Sequence, residues 1–176
     1  MISWSNNKRK NQRGFTLLIA VLLSTVVLAI GLSILNITLK EFILSTIARE
    51  SAVSLNAADA GLECAFYWDR STQGNKFDVG APFFDISCMG QTIRVGGGSS
   101  QIAQPVEIQW GSPPVCARVY VTKFYSPTTP QPMGGTPPRT CPAGIECTRV
   151  VSYGYNNACN ELDKRNTVER ALRALY

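Results

Sequence analysis

The sequence predicts an α+β protein: one long amino-terminal helix, apolar in its first half and amphipathic in its second, packed on a carboxy-terminal antiparallel β-sheet. Three observations carry this. Residues 15–39 are 25 positions without a formal charge. Between Lys40 and Arg70 there is no proline and one glycine, Gly61. All ten prolines and ten of the fourteen glycines then lie at or beyond Gly80, among short alternating segments.

Residues 1–14 are polar, with four basic side chains (Lys8, Arg9, Lys10, Arg13), no acidic one, and Gly14 at their end. At about 1.5 Å per residue, a helix over residues 15–39 spans about 37 Å, slightly more than a bilayer's hydrocarbon core. Positive charge beside a span stays cytoplasmic. On the far side Lys40 and Glu41 cancel, so the amino terminus is expected inside and everything after residue 40 outside. A cleaved secretory signal is the competing reading, with Val27-Leu28-Ala29 as its cut. The ten further uncharged residues, 30–39, fit the second half of a spanning helix better.

The helix is expected to continue to about Arg70. Phe42, Ile43, Ile47, Val53, Ala57, Ala60, Cys64, Tyr67 and Trp68 supply a stripe at steps of three and four. Glu41, Glu50, Asn56, Asp59 and Glu63 mark the opposite face. Strands are expected at 83–88, 91–95, 106–110, 115–125 and 148–155. The clearest is 115–124, where Val115, Ala117, Val119 and Val121 alternate with Cys116, Arg118, Tyr120 and Thr122. Gly96-Gly97-Gly98 reads as a turn, since no Gly-Lys-Ser/Thr follows to make a phosphate loop. Residues 126–142, with six prolines and two glycines, read as a loop without regular structure. Residues 167–176 have helix-forming composition but also alternate, and an antiparallel sheet would use them as an edge strand.

The formal charge of +5 does not mark a nucleic-acid protein. Four of the positive charges sit in residues 1–14, and residues 71–176 carry ten Lys/Arg against seven Asp/Glu without clustering. Histidine is absent, which removes the commonest general base and metal ligand and every Ser-His or Cys-His triad. Asp59 and Glu63 lack a third partner and read as a solvated helix face. No enzyme activity, metal or cofactor is expected. The six cysteines (Cys64, Cys88, Cys116, Cys141, Cys147, Cys159) all follow the span and are expected to pair. Cys141 and Cys147 suit a small loop closed over Pro142 and Gly144. The other four leave three pairings open, and a bridge from Cys64 would staple the helix to the sheet.

The segment Arg13-Gly14-Phe15-Thr16-Leu17-Leu18-Ile19, a basic leader running through glycine into an apolar helix, resembles the processing signature of type IV pilins and type II secretion pseudopilins. Residues 56–63 (N-A-A-D-A-G-L-E) also look like a stretch of minor pilins of this group. The motif match covers about the first 70 residues; beyond them the resemblance is architectural. It implies a leader of residues 1–14, a transmembrane half-helix of 15–39, an amphipathic half of 40–70 and an outer β-rich domain of 71–176 with disulfides. It further implies cleavage between Gly14 and Phe15 by a prepilin peptidase, methylation of the Phe15 amine, and assembly with other pilin subunits through the helix. The chain would start as a single-pass protein of the cytoplasmic membrane, in contact with the lipid bilayer, and finish in a filament at the cell surface. The family usually carries glutamate at the fifth mature residue, which here is Ile19. That departure points to a minor, tip-type subunit. A tip adhesin or DNA-binding subunit, a secretion pseudopilin and a plain single-pass anchored surface protein are the alternatives; a nucleic-acid partner has the weakest support in this sequence.

Overall fold

The computed structural model describes residues 13–70, 76–78, 80–96 and 105–176. Lys8, Arg9, Lys10, Gly97 and Gly98 lie outside the described residues. The chain divides into two compact units, with the boundary between Thr46 and Ile47.

One helix, α1 (Arg13–Asp69), runs through that boundary. Its continuity follows from the absence of proline and from Gly31 and Gly61 being its only interior glycines after the first turn. Within the first unit every residue from Phe15 to Thr46 is exposed, including Leu17, Leu22, Val27 and Leu35. Four hydroxyls in this stretch turn back onto their own helix: Ser24 donates to the Val21 carbonyl at 2.8 Å and Thr25 to that of Leu22 at 2.8 Å. Thr38 does the same toward Leu35 at 2.9 Å and Thr46 toward Ile43 at 2.8 Å. These polar groups therefore need no water, as a lipid environment requires.

Among the described residues the second unit contains eight strands. A four-stranded antiparallel sheet has the order β3 (Val106–Trp110), β4 (Val115–Phe124), β7 (Cys147–Tyr155), β8 (Glu169–Leu175). Two separate hairpins accompany it, β1 (Phe84–Cys88) with β2 (Gln91–Val95), and β5 (Gln131–Gly134) with β6 (Arg139–Cys141). The β1–β2 turn is Met89-Gly90, with φ of 49° and 78°, the two left-handed residues that match the twist of a two-residue hairpin. Strand β8 is an edge strand, so alternation prevails over helix-forming composition in residues 169–175. Pairing with β7 along its whole length supplies the backbone bonds that an isolated helix would have had to make for itself.

Residues 126–142, expected to lack regular structure, are corrected here: they contain β5 and β6. Proline is compatible with this short ladder because the register shifts between Pro132 and Gly134, so the missing donor falls at an irregularity.

The helix stripe is also corrected. Ile47 and Tyr67 are exposed, as are Phe42 and Ile43, and Val53, Ala60, Cys64 and Trp68 are half-buried. The line fully covered is Ser54, Ala57, Ala58, Gly61, Ala65 and Asp69. Small residues occupy it because the backbones approach closely. A Cβ on Gly61 would stand 2.6 Å from Ser152 Oγ and 2.9 Å from Ala117 Cβ. A Cβ on Gly154 of β7 would collide with the Ser54 carbonyl and the Ala58 amide. Larger apolar side chains flank the contact: Ile86, Val95, Ile108, Val119, Val121 and Val150 form the main core with Ala65. Glu50, expected on the solvent face, is half-buried and accepts from Asn156 Nδ2 at 2.8 Å. Asp59 and Glu63 are exposed.

At the carboxy end of α1 the apolar contact gives way to a polar clamp. Asp69 and Lys123 are almost wholly buried, and Asp69 Oδ1 lies 2.7 Å from Lys123 Nζ. Lys123 also donates to Thr148 Oγ1 at 2.9 Å and faces Glu146 at 3.4 Å. Tyr176 donates its hydroxyl to Asp69 Oδ2 at 2.6 Å, and Arg70 covers the Tyr176 ring at 4.4 Å. Burial, and after it the hydrogen bond to Asp69, pushes the Tyr176 phenol above its ordinary 10.0. Burial and the charge of Glu146 likewise raise the Asp78 carboxyl, against the pull of Lys123.

Three outcomes test this packing. Gly154→Ala should lower stability by about 1–3 kcal/mol or more in urea unfolding, because the helix must move away from β7. Asp69→Ala, which leaves Lys123 buried without its main partner, should cost about 3–5 kcal/mol. The Tyr176 effect has a definite sign. The unfolded phenol ionises above about pH 10 while the folded one stays protonated, so stability is complete below that pH and falls as pH rises through it. The unfolding midpoint should therefore drop between about pH 9 and about pH 11, and Tyr176→Phe should drop less.

Candidate functional sites

The residues nominated at the head of the chain fall in the first turns of α1. Gly14 and Phe15 follow its first residue, Arg13, where helix amides have no intrahelical partner and the backbone is most easily opened. Phe15 is 69% exposed and Ile19 39%. Gly31 has no atom within 4 Å of a would-be Cβ, and Ser24 lies two turns earlier, so two small residues open a shallow gap among Leu23, Val27, Leu28 and Leu32.

All six cysteines are paired. Cys64 of α1 joins Cys88 of β1, Cys116 of β4 joins Cys159, and Cys141 of β6 joins Cys147 of β7. The short loop bridge agrees with the sequence reading. Of the three pairings left open for the other four cysteines, the structure has Cys64–Cys88 with Cys116–Cys159, so the bridge from Cys64 ties α1 to the β1–β2 hairpin.

A second site lies on the face of the sheet away from α1. Alternation along β4, β7 and β8 sends Val119, Val121 and Val150 to the core, and puts Arg118, Tyr120, Arg149, Tyr153 and Arg173 on the other side. Register then assembles them into rows: Arg118 stands beside Tyr153, Val151 stands between Tyr120 and Arg173, and Thr122 beside Arg149. The result is a groove of about 450 Å³, into which Tyr155 and Glu169 also open. The Tyr120 and Tyr153 rings meet edge to face, centroids 5.8 Å apart.

Both ends of the groove are walled. At one end Arg149 Nη1 donates to the Met133 carbonyl of β5 at 3.2 Å, and its guanidinium lies 5.1 Å from the Phe124 ring centroid. Gly135, at φ 115°, leaves room there for Arg173: a Cβ on it would meet Arg173 Nη2 at 3.1 Å. At the other end Arg118 Nη2 reaches the Cys159 carbonyl at 3.5 Å, while its Nε pairs with Glu107 at 2.7 Å. The Cys141–Cys147 and Cys116–Cys159 bridges thus each hold a wall in place. Burial, and then the contact with Glu169, raises the Tyr155 phenol, which stays a neutral donor. Among the described residues Arg149 Nε is buried without a hydrogen-bond partner.

The sequence reading put Arg118, Tyr120 and Thr122 on one side of β4 but did not see a site. The signal was present as Arg or Tyr at alternate positions of three separate segments. What was missing was the register that sets those segments side by side.

Compared with protein-family models, with curated proteins and with solved structures, the chain matches none. Fold and sites define a protein of the α+β class: a long, apolar amino-terminal helix, long and apolar enough to cross a membrane, followed by disulfide-bonded antiparallel sheets.

The bridges should differ in weight. They close loops with sequence separations of 24, 43 and 6 residues in chain order. Loop-closure entropy assigns them about 3.5, 4 and 2.4 kcal/mol. Paired Cys→Ser replacements followed by urea unfolding should rank Cys116/Cys159 as the costliest and Cys141/Cys147 as the mildest.

Proposed function

We propose that this chain is a minor pilin-type structural subunit, anchored in the cytoplasmic membrane as a precursor and then built into, or priming, a type IV pilus-type filament. The observation that carries the reading is the single helix α1, exposed from Phe15 to Thr46, uncharged from Phe15 to Leu39, and packed on a sheet by small residues from Ser54 onward. An apolar helix can exchange lipid for copies of itself, because the two environments are similar in apolarity and small residues let the backbones approach. Gly14 removes side-chain bulk at the bond before Phe15, and a cut there also removes the four basic residues that hold the leader on the cytoplasmic side.

Ile19 carries the assignment to a minor role. A carboxylate at that depth of an apolar bundle would offset a neighbouring subunit's terminal ammonium, and an unpaired buried charge is costly. A subunit with isoleucine there suits the tip or the start of a filament, where one neighbour is missing. Purified filaments should contain this chain as a trace component at one end; finding it as the bulk repeating unit removes the minor role.

Amino-terminal sequencing of membrane-extracted protein, co-expressed with a prepilin peptidase, tests the reading as a whole. The expected first residue is methylated Phe15, and Gly14→Ala should leave the precursor uncut or slowly cut. A chain beginning at Met1 would instead indicate a plain anchor, and one beginning at Ile30 a secretory signal.

A further inference from the structure

We propose that the groove on the outer face of β4, β7 and β8 binds the terminal residue of an acidic saccharide, one sugar ring carrying a single carboxylate. This goes beyond the filament reading and does not depend on it. The volume is the first argument: about 450 Å³ lies at the small-ligand end of protein pockets.

Charge is the second. Of the ionised groups lining the groove, Arg118 is already paired with Glu107, which leaves Arg149 and Arg173 and one carboxylate, Glu169, beside Tyr155 at the other end. The balance is one positive charge. That suits a single carboxylate and not a polyanion, which needs an extended basic surface. Arg173 is held by its backbone pairing with Val151, and its guanidinium makes no ion pair or hydrogen bond among the described residues; Arg149 has a buried Nε without a partner. Two guanidinium groups with unused donors form the fork that planar carboxylates accept.

The remaining lining matches a sugar ring. The T-shaped Tyr120–Tyr153 pair offers ring surface to the C–H face of a pyranose while keeping two hydroxyls available. Glu169 accepts hydrogen bonds from sugar hydroxyls and repels a phosphate or sulfate cluster. Tyr155 beside it is held neutral and donates to that carboxylate, which orients it. The walls at both ends favour a chain end over the interior of a polymer.

The test uses the full chain in detergent micelles with three small probes: methyl β-D-glucuronide, methyl β-D-glucoside, which differs by replacing the carboxylate with a hydroxymethyl group, and acetate. Ligand-observed saturation-transfer NMR and titration calorimetry give the affinities. The glucuronide should bind at least about tenfold more tightly than either control, a difference of about 1.4 kcal/mol. Arg173→Ala should abolish that margin, and Arg173→Lys should restore part of it by keeping the charge without the fork. Unfolding midpoints of both variants should stay at the native value, since the Arg173 side chain is exposed. Equal binding of the glucoside, equal binding of acetate, or no saturable binding of the glucuronide would each overturn the proposal. Tighter binding of a short DNA duplex than of the glucuronide would overturn it in favour of a nucleic-acid surface. Because Phe15 processing plays no part in these measurements, failure here leaves the filament reading standing, and failure of the processing test leaves the groove standing.

Discussion

The close approach of α1 to β7 is the constraint on which the outer unit depends. At Gly154 and Gly61 the helix and sheet come so near that any Cβ would strike backbone or a neighbouring side chain. With the backbones in contact, Ser54, Ala57, Ala58 and Ala65 are large enough to fill the interface. Burial here comes from proximity more than from side-chain bulk. The larger residues of the core, Ile86, Ile108, Val119 and Val121, close around this line. The buried Asp69–Lys123 pair fixes its carboxy end, and the Ser54 hydroxyl, donating to Val168 at 2.7 Å, fixes a point farther back. Directional bonds at two levels of the helix set its register against the sheet, which apolar contact alone would leave free to slide.

This arrangement leaves the opposite face of the sheet uncovered by α1. In an antiparallel sheet with one covered face the other normally carries small polar groups facing water. Here that face is dense with arginine and tyrosine and walled by two disulfide-held segments. Side chains of this kind are expensive to order, and the walls restrict their freedom before any ligand arrives. The same bridges that stabilise a modest core also preorganise the groove. Cys64–Cys88 serves the core alone, joining α1 to the first hairpin.

Much of the fold was legible because its elements are periodic. The helix shows in the absence of proline, β4 in its strict alternation, and β2 and β3 in short segments bounded by turn residues. Legibility failed where pairing overrides local composition. Residues 126–142 looked too rich in proline for strands, yet a bulge at Pro132–Gly134 accommodates the missing donor. Tyr67 looked like a core residue by spacing and is exposed, because the contact line follows the smallest residues and not the most apolar ones. Glu50 looked solvated and is drawn in by Asn156, more than a hundred positions away in sequence.

By itself the sequence determined the long uncharged helix, its basic approach, the glycine before Phe15 and the isoleucine at position 19. Each of these is a property of consecutive residues, and local chemistry is enough to read it. Only the tertiary structure decided which cysteines meet, where α1 touches the sheet, and that Arg118, Tyr120, Arg149, Tyr153 and Arg173 share one groove. Those outcomes depend on strand register, which is set by simultaneous backbone pairing of segments far apart in the chain. A one-residue slip of β8 against β7 would carry Arg173 to the opposite face, and no pattern within residues 169–175 alone forbids it.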